Sequence, residues 1–356
     1  MTLRLVCFTG AGAELGRRIA GFLERQGHVC SLYTSARQAE KTGLLSFGGS
    51  LSDWMAGCFD KEIAQGFIFI GACGIAVRAI APCLRGKTVD PAVVAVDEAG
   101  RFSISLLSGH IGQANRLAAG VAEAVGAMPV VTTATDVRKV FSVDSWAVQH
   151  GCTLSDMGMA KEVSAALLAG EPVGIASAFP FPAGNLPAGL LQNPDCPLGI
   201  CIDIRNVSPF ARTLLLFPRI VHLGIGCRRG TSHACIRQAV EHFLNRHSIA
   251  PQALAGIASI TVKKNEDGLL AFAQGLGLPI RFFPPEELRQ AKGSFASSPF
   301  VERTVGVDNV CERAAVLSSR QGILLAEKYA EAGVTVAAAR EDWSVDFEYQ
   351  NDWRGL

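Results

Sequence analysis

The 356 residues, 49% hydrophobic and 18% charged, describe two or three domains that can each bury a core, and exclude a disordered chain. A formal net charge of +1 provides no long-range basic field to draw nucleic acid or a membrane surface, so an acidic ligand has to be held by a local cluster of arginines and lysines. Eleven cysteines with no Cys-x-x-Cys point to neither a disulfide framework nor a zinc site, and suit buried thiols in a reducing compartment.

Met1 to Thr9 has no basic region ahead of a long apolar core, and no later run is long and apolar enough to span a bilayer; the expected location is the cytoplasm. Leu3 to Thr9 reads as a buried strand, Gly10-Ala11-Gly12-Ala13-Glu14-Leu15-Gly16 as a turn, and the residues to about Arg25 as a helix. This order invites a dinucleotide reading, but G-x-G-x-x-x-G misses the fingerprint by one position. The next strand, Val29 to Thr34, does not end in the acid that an NAD ribose wants, while Arg37 keeps an NADP reading open. A second unit of this kind runs from the strand Phe67–Ile70 through Gly71-Ala72-Cys73-Gly74 to a helix, Ile75 to Ile80, that stops before Pro82. Cys73 is either a thiolate at a helix start or a small residue in a tight turn. Arg78 and Arg85 are either carboxylate clamps or solvated arginines.

Pro91–Asp97 and Phe102–Leu107 read as a hairpin about Glu98-Ala99-Gly100-Arg101. It feeds Leu106-Leu107-Ser108-Gly109-His110-Ile111-Gly112-Gln113-Ala114-Asn115, and a helix, Ala114 to Val125, leads out. Val130-Val131-Thr132-Thr133-Ala134-Thr135-Asp136 is then expected as a strand ending in hydroxyls and a carboxylate. In an open α/β sheet, ligands bind beyond the carboxyl ends of the strands, which makes Ser108, His110, Thr132, Thr133 and Asp136 the first candidates for chemistry. Gly109 and Gly112 permit positive φ and a close approach of backbone to ligand, and the amides opening the helix can hold a carboxylate or oxyanion. The alternative is a plain strand-to-helix connection, with Ser108 as cap and His110 at the surface. Ser-Gly-His is no nucleophile elbow, which needs glycine on both sides of the serine.

Phe141–His150, carrying Asp144 and Trp146, and Met157–Ala169 read as helices, and Pro172–Ala178 as a strand. The proline-rich stretch Phe179–Pro197 reads as a loop, linker or lid, with strands Leu198–Ile204 and Thr213–Phe217 after it. A new unit opens with the strand His222–Ile225, the turn Gly226-Cys227-Arg228-Arg229-Gly230, and a helix capped by Thr231 or Ser232 that runs to about Arg246. Two arginines beside a helix N-terminus make an anion site, because dipole, amides and guanidinium forks all favour carboxylate; arginines facing water are the alternative. The strand Ile257–Val262 ends in Lys263-Lys264-Asn265-Glu266, where Lys263 offers a further carboxylate contact or belongs to a solvated edge. A helix to Leu276, the strand Pro279–Phe283, helices Glu286–Lys292 and Val307–Ser318, and strands Gly322–Lys328 and Val334–Ala339 complete the chain. The alternation predicts an α/β class: a layered α/β/α N-terminal part and a separate α/β C-terminal domain, bounded as 1–140, 141–219 with the Pro-rich linker or lid, and 220–356.

Leu106–Asn115 with Thr132-Thr133-Ala134-Thr135-Asp136 resembles the cobalt-precorrin-5A hydrolase family of the anaerobic cobalamin pathway. The Gly71–Gly74 unit is similar to that family's N-terminal motif, and Gly224-Ile225-Gly226-Cys227-Arg228-Arg229-Gly230-Thr231 to the start of its C-terminal domain, so the resemblance covers nearly the whole chain. It implies a cobalt-bearing tetrapyrrole substrate with acetate and propionate arms and a δ-lactone. It also implies the reaction: water opens the lactone, a two-carbon fragment leaves as acetaldehyde, and cobalt-precorrin-5B results. Water, or a serine, then needs a base, and the hydroxyl freed from the lactone must lose its proton before the carbon–carbon bond breaks. The metallated macrocycle can accept the electrons. Against that chemistry His110 is the expected base, Asp136 its orienter, and Ser108 and Asn115 the groups for the lactone carbonyl or its oxyanion. Arg228, Arg229, Arg78 and Lys263 are expected at peripheral carboxylates, and Gly226, Gly109, Gly112, Thr132 and Thr133 along the substrate. Cobalt arrives inside the substrate, so neither a protein-bound metal nor a cofactor is expected. The expected partners are the tetrapyrrole and the neighbouring pathway enzymes that exchange it, with no nucleic acid and no membrane; a homodimer stays open. Two other classes stay open as well. One is a carrier of a pathway intermediate, since the C-terminal motif also resembles a small stand-alone protein of the aerobic pathway. The other is an NADP-dependent oxidoreductase built on Gly10–Gly16.

Overall fold

A computed structural model describes residues 1–180 and 186–347, and these divide into two compact units, Met1–Trp146 and Ala147–Phe347. Among the described residues no helix is long and apolar enough to cross a membrane. The chain is mixed α/β throughout, as the alternation of its sequence predicts.

The first unit is built on one sheet. Its strands are β1 (Thr2–Cys7), β2 (Val29–Thr34), β3 (Leu45–Ser46), β4 (Gly66–Ile70), β5 (Ala92–Val96), β6 (Phe102–Leu107) and β7 (Met128–Val130), in the spatial order β3-β2-β1-β4-β5-β6-β7. All neighbours are parallel except β5 and β6, the expected hairpin. The helices are α1 (Gly10–Arg25), α2 (Ala36–Thr42), α3 (Leu51–Cys58), α4 (Cys73–Ile80), α5 (Ala114–Val125), α6 (Ala134–Val137) and α7 (Val143–Gln149), the last continuing past the end of the unit. β4 explains the layering. All five of its residues are buried: Ile68 and Ile70 join a core with α1 and α5, Phe67 and Phe69 one with α3 and α4. A strand covered on both faces needs an unbroken apolar run, and each such side chain contributes roughly 1.5–3 kcal/mol on burial.

Two expectations fail here for physical reasons. The glycine run is not a turn. Thr9 caps α1 by accepting the Gly12 amide at 3.0 Å, which puts Gly10, Gly12 and Gly16 inside the helix. A Cβ at Gly16 would press on Ile70 and Leu32, and one at Gly12 would crowd the capping Thr9 hydroxyl while touching Cys7 and Ile70, so the motif lets α1 lie close against the sheet. Glu98 hydrogen-bonds Thr9 at the same helix start, an acid where a nucleotide would bring its phosphates. Second, β7 ends at Val130; Thr133 stands at the start of α6 and Asp136 lies within that single turn of helix.

The second unit holds two sheets. In one, β8 (Cys152–Leu154), β9 (Val173–Ser177), β10 (Leu190–Leu191), β11 (Leu198–Ile202) and β12 (Arg212–Pro218) run in the order β10-β9-β11-β12-β8, with only β8 antiparallel. α8 (Met157–Ala169) packs against this sheet. Of the proline-rich stretch Phe179–Pro197, residues 181–185 lie outside the described part, and β10 adds an edge strand to the sheet. The other sheet has β13 (Val221–Cys227), β14 (Leu254–Ile260), β15 (Ile280–Phe283), β16 (Ile323–Glu331) and β17 (Val334–Arg340) in the order β15-β14-β13-β17-β16, with β17 antiparallel to both neighbours. Its helices are α9 (His233–Arg246), α10 (Asp267–Gly275), α11 (Pro285–Leu288), α12 (Pro299–Val305) and α13 (Cys311–Ser318). α13 crosses β13 so closely that a Cβ on Gly224 would collide with the Cys311 carbonyl.

Candidate functional site

Between β6 and α5 the chain folds back on itself. Ala114 N–H donates to the Ser108 carbonyl at 3.1 Å, Asn115 N–H to that of Gly109 at 3.1 Å, and Gln113 N–H to that of His110 at 2.9 Å. The residues that take left-handed backbone are Ser108 (φ 58) and Gln113 (φ 66); Gly109 and Gly112, expected there, do not. The glycines are needed for space instead. A Cβ on Gly109 would sit 2.6 Å from Asn115 Oδ1, and one on Gly112 would sit 2.4 Å from Ser108 Cβ and 2.7 Å from its carbonyl oxygen. Ser108 Oγ donates to the Asp90 carbonyl at 3.0 Å, away from the imidazole.

This loop brings His110 between two carboxylates. Its Nε2 lies 3.1 Å from Asp136 Oδ2, and its Nδ1 lies 3.3 Å from Asp144 Oδ2. Thr135 Oγ1 is 3.1 Å from the same Nε2. Asp136 Oδ2 also accepts from Asn115 Nδ2 at 2.8 Å and from the Thr133 hydroxyl. Asn115 Nδ2 donates further to Thr133 Oγ1 at 3.1 Å, while its Oδ1 accepts from Ser105 Oγ at 2.7 Å. The carboxylate of Asp136 is nearly buried (6% exposed) and the ring of His110 is partly open (21%). Burial works against a charged imidazole, but the hydrogen bonds and charges of Asp136 and Asp144 outweigh it and raise the His110 pKa to about 9. Asp144 feels the reverse: burial raises its pKa, and His110 with the Ser142 and Ser145 hydrogen bonds more than compensates, leaving it lowered.

The structure thus joins His110, Asp136, Asn115 and Thr133 in one network, and changes some expected roles. Asn115 is buried with its amide protons directed at Asp136 and Thr133, so it holds Asp136 and does not face an oxyanion. Thr132 is exposed, and Arg78 is an exposed residue in the last turn of α4. Arg85, the other candidate clamp, is paired with Asp60 at 3.0 Å. Asp144 was legible only as an acid in the first turn of a helix; its contact with His110 is tertiary.

In the second unit, the turn after β13 is filled from within. Glu266 Oε2 accepts the Gly230 amide at 2.9 Å, and its Oε1 pairs with Lys263 Nζ at 3.1 Å. Lys263 therefore neutralises Glu266 and is not the free carboxylate contact expected of it. Gly226 lies in β13, where a Cβ would meet Thr335. Arg228 and Arg229 are exposed and have no ion-pair partner among the described residues; Arg228 lies along Gly333. Ser232 caps α9 by accepting the Cys235 amide at 3.3 Å. A cavity of about 290 Å³ opens where β9 and β11 end, lined by Phe179, Asp203, Arg205, His247 and Arg340, none of them singled out in the sequence as a site residue.

Comparison with known proteins places the chain in a family. Residues 53–136 match the model described as cobalamin synthesis G N-terminal, residues 141–218 the cobalamin biosynthesis central region, and residues 221–339 the cobalamin synthesis G C-terminus. The chain is 38% identical over 347 residues to a cobalt-precorrin-5A hydrolase of Salmonella typhimurium, covering 94% of this chain and 96% of that one. It is 30% identical over 354 residues to a cobalt-precorrin-5A hydrolase of Priestia megaterium, covering 94% of each. A crystal structure of a cobalamin biosynthesis protein G homologue from Sulfolobus solfataricus aligns over 96% of this chain and 97% of that chain, at 20% identity and a TM-score of 0.43.

Proposed function

The chain belongs to the cobalt-precorrin-5A hydrolase family, and from that premise we propose that it opens the δ-lactone of cobalt-precorrin-5A with water and releases acetaldehyde to give cobalt-precorrin-5B in anaerobic cobalamin biosynthesis. The observation that carries this is the end-to-end identity to two hydrolases named for that substrate, 38% and 30%.

His110 is the proton carrier in this reading. Both ring nitrogens face carboxylates, so the resting ring is an imidazolium and its first act is donation. It protonates the ring oxygen released as water attacks the lactone carbonyl, while the protons of the attacking water pass to solvent as the new carboxylate forms. The neutral imidazole then takes that hydroxyl's proton back as the carbon–carbon bond breaks, and the electron pair passes into the metallated macrocycle. Asp136 orients Nε2, Asn115 and Thr133 fix Asp136, and the Thr135 hydroxyl lies within relay distance of the same nitrogen. Ser108 shapes the loop through Asp90. The exposed Arg228 and Arg229 attract the substrate's carboxylates to the second unit. Cobalt enters within the substrate, so the reading needs no resident cofactor. It also puts the enzyme in the cytoplasm, among the pathway enzymes that supply and remove its tetrapyrrole.

The test is anaerobic incubation of the purified chain with cobalt-precorrin-5A, trapping acetaldehyde. Equimolar release is expected. Substrate binding without acetaldehyde would replace the hydrolase with a carrier.

A further inference from the structure

We infer that Asp144 is a positioning residue for His110: it closes on Nδ1 from α7 while Asp136 closes on Nε2 from α6, so the ring is gripped at both edges and kept as a proton donor. This rests on the reading of His110 as the proton carrier. The geometry of Asp144 is fixed before it meets the ring. Its Oδ1 accepts from Ser142 Oγ at 2.7 Å and from the Ser145 amide at 2.9 Å, which turns Oδ2 toward His110 at 3.3 Å. Both partners are only 21% exposed, so water screens the pair weakly.

The molecule contains a control. His222 has the same carboxylate contact at Nε2, Glu341 at 3.0 Å, but its Nδ1 faces the Ser318 hydroxyl at 2.8 Å. There burial prevails, helped by Arg281 and Arg320, and the pKa falls despite Glu341. One carboxylate does not keep that buried imidazole charged. At His110 the charges that bear on the ring are Asp136 and Asp144, and the ring is charged to about pH 9. The second carboxylate is what lets His110 begin each cycle as an acid at neutral pH and recover its proton at the end.

The experiment follows the His110 ring by NMR as pH is varied, without substrate, in wild type, Asp144→Asn and Asp144→Glu, beside kcat–pH profiles of the same proteins. Asp144→Asn should lower the His110 pKa by roughly one to two units. The alkaline limb of kcat should move by the same amount, so that turnover near pH 9 drops on the order of ten-fold with KM nearly unchanged, and Glu should restore part of both. An unmoved His110 titration in Asp144→Asn overturns the inference whatever the activity does. A titration that moves while the kcat limb stays overturns His110 as proton carrier, and with it the part of Asp144 in the reaction. If Asn at 144 prevents folding, Ser142→Ala loosens the same carboxylate and should lower the titration by less; no shift there is equally fatal.

Discussion

Two histidines, one in each unit, have opposite fates: His110 is partly open and His222 is buried. His110 lies on a glycine loop between two carboxylates, and its pKa is lifted to about 9. His222 lies inside β13, tied at one nitrogen to the last residue of α13 and at the other to Glu341, just past β17, and its pKa is lowered. Each has a carboxylate on Nε2 at almost the same distance, so a His–acid contact says little about charge. The partner at the other nitrogen and the sign of the wider charges decide it. The first histidine is built to exchange a proton, and the second ties β13 to the end of α13 and to the residue after β17 as a neutral donor and acceptor.

The largest effect should separate them by function. His110→Gln is expected to cut acetaldehyde release by roughly 10²- to 10⁴-fold, the usual contribution of a positioned acid–base group. His222→Gln should leave turnover within a few-fold of wild type and lower stability by about 1–3 kcal/mol, because it disturbs a buried hydrogen-bonded pair. Comparable turnover losses in both variants would collapse the distinction.

The pH dependence of stability sharpens the same comparison. The unfolded chain titrates both rings near 6.5. The raised pKa of His110 contributes stability that is complete below that value and is lost as pH rises through about 9, on the order of 3 kcal/mol over the window. The lowered pKa of His222 acts the other way: its contribution is present above 6.5 and is lost as pH falls below it, since the unfolded chain takes the proton first. Urea midpoints from pH 5 to 10 should therefore fall at both ends. His110→Gln should flatten the alkaline fall and His222→Gln the acid fall. Unchanged slopes would mean that neither ring carries the linkage.

How much of this was readable beforehand follows from how local each signal is. β2, α5 and α8 coincide with their expected spans, because period and punctuation by glycine or a cap residue are written within the segment itself. The sheet of β8 to β12 was legible only as separate strands; nothing local says that Val173–Ser177 pairs with Leu198–Ile202. His110, Asn115 and Asp136 stand out in the sequence by residue type near strand ends. The grip of Asp144 and the engagement of Asn115's donors are tertiary facts without a local signature. Gly12 and Gly16 misled because helix–sheet contact and phosphate contact call for the same residue. One miss was recoverable. Lys263 and Glu266 are three apart at the start of a helix, the spacing at which opposite charges meet, and their pairing follows from it.

That pairing sets the smallest expected effect. The turn at Arg228–Arg229 has the amide, the lysine and the guanidinia of an anion site, but Glu266 already occupies the first two. What remains for a substrate carboxylate is two exposed side chains, and exposed charge contacts are worth about 0.2–1 kcal/mol each. Replacing both arginines by glutamine should then raise KM roughly three- to ten-fold with kcat untouched, and the difference should shrink at about 0.5 M salt, where the Debye length falls to a few ångströms. Glu266→Gln should act in the opposite sense. It leaves Lys263 unpaired beside the Gly230 amide, and a site freed of its internal anion should lower KM by about two-fold at low salt. If KM ignores all three residues, this turn takes no part in binding, and substrate recognition has to be sought elsewhere in the chain.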